Sequence, residues 1–98
     1  MVKVQTKSGF VWNVDETIVA DWDFFDLLCD AEDSNKMVAL KASRDAVKML
    51  LGKDGAAALA EHVKDDKGRK SSEKVFKEFK EIMNLIGENS KKSEPSQP

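Results

Sequence analysis

The sequence holds one cysteine and one histidine, and its apolar residues never gather into a long run. A single thiol, Cys29, forms no internal disulfide, so a reducing compartment is the simpler reading. One Cys and one His fall short of a structural zinc site, which takes about four ligands. The acids between Asp21 and Asp33 lack the spacing and the glycine of a calcium loop. Gly52, Gly55, Gly68 and Gly87 punctuate helical patterns and build no phosphate-binding loop. No window approaches the ~20 apolar residues that cross a bilayer. The opening MVKVQTKSGF has no signal-peptide run, so a cytoplasmic location is expected. A basic excess is missing as well. Sixteen basic and eighteen acidic residues leave a formal net charge of −2, which gives no electrostatic drive for tight duplex binding.

What is present is a chain of 98 residues, 41% apolar and 35% charged. That is room for one well-solvated domain with one core. The charge is uneven. Residues 1–33 carry two basic and eight acidic side chains, and residues 34–98 carry fourteen basic and ten acidic ones. The two halves can attract each other within one fold or between copies.

The pattern predicts an α+β, predominantly helical fold: an N-terminal β-hairpin, about four helices and a disordered C-terminal tail. Two β-branched runs flank Ser8-Gly9, a turn signal, and Phe10, Trp12 and Val14 share one strand face. Asp15 is the cap of a first helix whose stripe is Ile18, Trp22, Phe25 and Cys29, broadened by Val19, Phe24, Leu27 and Leu28. Ser34 caps a second helix with Met37, Leu40, Val47, Leu50 and Leu51 on its apolar face; Arg44 falls within that stripe, and Gly52 stops the helix. Asp54 caps a short third helix, where Ala56, Ala57, Ala58 and Ala60 leave a slim surface open to close helix approach. Ser71 or Ser72 caps the fourth, with the stripe Val75, Phe76, Phe79, Ile82, Met83 and Ile86, and Gly87 ends it. These readings give one domain over 1–87 and a polar tail over 88–98, which has no apolar anchor.

Catalysis finds little support. His62 has no nucleophile motif around it, and Cys29 on an apolar stripe reads as core filler. Neither an enzyme nor a cofactor is expected. Helices two and three resemble a helix-turn-helix, but Gly55-Ala56-Ala57-Ala58 offers base edges no hydrogen bonds. A small DNA-binding regulator is the alternative reading. What remains is apolar surface: five of the seven aromatics lie in residues 10–25. They serve either the core or a docking surface for a helix.

The order of these pieces resembles the tail assembly chaperones of long-tailed bacteriophages, in their short form. The resemblance rests on the Ser8-Gly9-Phe10 hairpin and on Asp15-Glu16 leading into Asp21-Trp22-Asp23-Phe24-Phe25-Asp26-Leu27. It continues through Leu50-Leu51-Gly52, Leu59 with Glu61-His62, and Asp66-Lys67-Gly68-Arg69. It closes with Phe76-Lys77-Glu78-Phe79-Lys80-Glu81-Ile82 and a polar tail.

Such a resemblance implies a protein that binds the tape measure protein, keeps it soluble and leaves as tail tube subunits polymerise, so that it is absent from the virion. It also implies a longer ribosomal-frameshift product that recruits the tail tube protein. Lys91-Lys92 is where a slippery codon run would fall. No nucleic acid or membrane partner is expected, and self-association is permitted. The expected protein-binding residues are Trp22, Phe25, Phe76, Phe79 and Met83.

Overall fold

The alternation of the first fourteen residues builds a two-stranded antiparallel ribbon. Strand β1 (Val2–Gln5) pairs with β2 (Val11–Val14), with Val2 opposite Val14 and Val4 opposite Trp12. Val4, Phe10 and Val14 are buried, so one face of the ribbon is a wall of the core. The structure, a computed structural model, describes residues 1–93.

The first helix departs from expectation. Asp15 caps only a 3-10 turn, Glu16–Ala20, by accepting the Thr17 amide. Asp21 then takes an extended conformation and caps a new helix, α1 (Trp22–Asp30), accepting from the amides of Asp23 and Phe24. Aspartate competes for backbone N–H groups better than it propagates a helix. The break shifts the helical phase. Phe24 goes to the core, fully buried, with Leu27 and Leu28 packed beside it. Trp22 and Phe25 turn outward, and Cys29, expected as core filler, is exposed.

The second cap is Asn35, not Ser34; its side chain accepts from the amides of Met37 and Val38. Helix α2 (Lys36–His62) includes the two helices expected on either side of Gly52, joined by a kink at that residue (φ 78°, ψ 167°). A positive φ is cheap only for glycine. Ala42, Ala46, Val47, Leu50, Leu51 and Leu59 face the core. The Trp12 indole donates to the Leu51 carbonyl at 3.2 Å, beside the kink.

A turn held by the Asp65 carboxylate, which accepts from the Lys67 and Arg69 amides, leads to helix α3 (Ser72–Ser93). Phe79, Ile82 and Ile86 are its buried stripe, and Phe79 meets Phe24 edge to face with ring centroids 6.4 Å apart. The expected stop at Gly87 is overruled, because the helix runs on to Ser93. An interior glycine costs only about 1 kcal/mol, and the stripe through Ile86 has already nucleated the helix. The tail was expected to be disordered from residue 88; its last residues, 94–98, lie outside the described residues. The buried side chains of the hairpin, α1, α2 and α3 form one cluster.

Candidate partner-docking surface

The kink in α2 has a second effect. Its two halves and the start of α3 enclose a groove of about 860 Å³. The floor is apolar: Met37, Val38 and Leu40 from the first half, Ala56, Ala57 and Ala60 from the second, and Val75 and Phe76 from α3. The expected apolar face of α2 is therefore split. Val47, Leu50 and Leu51 reach the core, while Met37 is 73% exposed and Leu40 is 42% exposed. The alanines keep the floor low enough for a helix to approach closely.

The rim carries one sign of charge. Lys41, Arg44, Lys48, Lys53 and Lys70 line the groove, and no carboxylate does among the described residues. Arg44 meets Asp45 at 3.1 Å and Lys70 meets Glu61 at 3.6 Å, all on exposed side chains. Lys41, Lys48 and Lys53 form no ion pair among the described residues.

Helix α1 offers a different surface. Trp22 is 72% exposed and Phe25 is 53% exposed, and their rings lie 5.9 Å apart. Helical spacing puts exposed Cys29 on the same stripe, with Asp23, Asp26 and Asp30 along one side of it. Large apolar side chains gathered in the open make this face a candidate for docking.

The five residues expected to bind protein therefore occupy different places. Trp22 and Phe25 form the outward stripe of α1. Phe76 lines the groove. Met83 is half-buried against the core, and Phe79 is inside it. Sequence reading missed Met37 and Leu40 as open surface, because their spacing is continuous with that of Val47 and Leu50. The alanine run was recognised as slim but could not be assigned to a groove without the kink.

His62 gains neighbours from far along the chain. Its Nε2 lies 2.9 Å from Ser8 Oγ. Ser8 and Thr6 both donate to Glu78 Oε1, at 2.8 and 2.7 Å, and the Lys7 amide donates to Glu81. With the Ser8 proton committed to Glu78, the imidazole is the donor to Ser8. The hydroxyl thus donates its hydrogen bond to a carboxylate, and the carboxylate touches the hydroxyl and not the ring. A Ser-His-acid relay has the opposite order. The cluster clamps the hairpin tip to α2 and α3, and it satisfies the buried Thr6 hydroxyl.

Comparison with protein-family models, with curated proteins and with solved structures finds no match to this chain. Among the described residues no helix is long and apolar enough to cross a membrane, and no cluster of His, Cys, Asp or Glu is built to hold a metal ion.

Proposed function

We propose that this protein is a binding module that holds a helical segment of another protein in the groove across the α2 kink. The observation that carries this reading is the groove itself, with an apolar floor and a rim of lysines and one arginine. A floor of alanine, methionine and leucine suits the apolar face of an amphipathic helix. The lysines and Arg44 suit acids on the flanks of that helix, and they supply steering and selectivity more than affinity.

The sequence resemblance names the client. In this reading the protein is a tail assembly chaperone of a long-tailed bacteriophage, acting in the host cytoplasm and absent from the finished virion. The client is the tape measure protein, a long and helical chain. Many weak grooves along it would keep it soluble until tube subunits replace them. A longer frameshift product would bring the tail tube protein. Helix α3 extends to Ser93, so an added domain would follow a helix end. A run of adenines over the Lys91-Lys92 codons with an overlapping frame is the expected nucleotide signature.

Co-expression with the adjacent tape measure candidate tests the proposal. Solubility and pull-down of that protein are expected with the unaltered chain. Both should fall at least about tenfold with Leu40→Asp, which places a charge on the floor. An insoluble, unbound tape measure candidate overturns the client. A small DNA-binding regulator would instead give a salt-sensitive gel shift that Lys41→Glu and Lys48→Glu abolish.

A further inference from the structure

The groove has a matching helix within the chain that builds it. Lys41, Arg44 and Lys48 stand at i, i+3 and i+7 on α2, so they form one ridge along the groove edge. Asp23, Asp26 and Asp30 stand at the same spacing on α1, all exposed. Each ridge is about 10 Å long at 1.5 Å per residue. Beside the acidic ridge lie Trp22 and Phe25, the large apolar side chains of the open face of α1. Beside the basic ridge lies the open apolar floor. Charge sign, ridge length and apolar content therefore correspond.

We propose that the groove of one copy takes helix α1 of a second copy. Trp22 and Phe25 cover the floor around Leu40, Ala57 and Phe76, and the acidic ridge lies along the basic one. Asp26 meets Arg44, the central pair whichever way the docked helix runs. Arg44 gives up only an exposed contact to Asp45, which is weak in water. The chain's own tail is a poor competitor, because Glu88 to Pro98 contains no apolar residue. Helix and groove are different patches, so the contact is heterologous. It propagates from copy to copy unless a ring closes. A face of nine residues makes a small interface, of the transient class below about 1,200 Å². Such an occupant protects the groove and yields to a longer client helix. The proposal rests on the groove being a helix site, not on who the client is.

Sedimentation of the full chain at rising concentration tests it. The weight-average mass should rise with concentration and fall as salt is added. Asp26→Arg alone and Arg44→Asp alone should each weaken association at least about tenfold, and an equimolar mixture of the two variants should restore it. Trp22→Ala with Phe25→Ala should abolish it while circular dichroism stays unchanged, because both side chains are exposed. A mass that stays monomeric throughout, or that ignores these variants, overturns self-docking. Capture of a client helix by that same monomer would show that the binding-module reading stands without it.

Discussion

Gly55 and Trp12 share one space. A β-carbon on Gly55 would stand 2.6 Å from the indole Nε1 and 2.8 Å from Cε2. The glycine lets the hairpin lie against the second half of α2 and lets the indole reach the Leu51 carbonyl. Gly55→Ala should destabilise the fold by about 1–3 kcal/mol, as overpacking does. Urea unfolding followed by tryptophan fluorescence measures it. Combined with Trp12→Phe, the loss should be less than additive. An additive loss would place the clash elsewhere.

The neighbours Phe24 and Phe25 should behave oppositely. Phe24 is fully buried against Phe79, and its truncation to alanine should cost about 3–5 kcal/mol. Phe25→Ala should change stability by no more than about 0.5 kcal/mol. Equal losses at the two positions would contradict the helical phase that Asp21 sets.

Glu78 holds the hairpin tip by two hydroxyls. Glu78→Ala leaves the buried Thr6 hydroxyl short of a partner, with a cost of about 1–3 kcal/mol. Amide exchange should accelerate at Gly9 and Phe10, whose N–H groups are bonded to Thr6, before it does in the core of α3. Uniform acceleration across the chain would mean that the clamp is not local.

Asp15 should titrate below the ordinary carboxylate range, because the Thr17 hydroxyl and then its amide donate to the charged form. The sign follows from that depression. The cap favours the folded state above the unfolded pKa of about 3.9, and the benefit is lost as pH falls through the lower folded value. Thr17→Val should raise the midpoint in an NMR titration of the Asp15 carboxyl. An unchanged midpoint would remove the hydroxyl as the main cause.

Much of the fold was legible in local pattern. Ser8-Gly9 marked the hairpin, and Phe79, Ile82 and Ile86 repeat at the period of the helix they occupy. Gly52 was legible as a stop, and its positive φ is what a helix-ending glycine adopts. The break before α1 was not legible. Asp21 sits among three other aspartates on a solvated face, and nothing in its spacing marks it as the one whose side chain turns back onto the amides. That one cap decides whether Trp22 points in or out. The groove was legible only in pieces. Arg44 read as part of the apolar stripe of the second helix, and Phe76 as a protein-binding residue with no groove to place it in. The concavity exists only after the kink and the 63–71 turn bring three helical segments together. The Ser8, His62 and Glu78 cluster is of the same kind, since its members lie 54 and 70 positions apart.

The Gly52 kink carries one more consequence. Two of the groove's three walls belong to a single helix, so the angle between them follows from the backbone torsions of Gly52, while the 63–71 turn places the third. A change at that one position would alter the width of the groove while the chemistry of its lining stays constant. Gly52→Ala, with empty space around the added methyl but a φ that resists it, would alter the aperture without touching a lining residue.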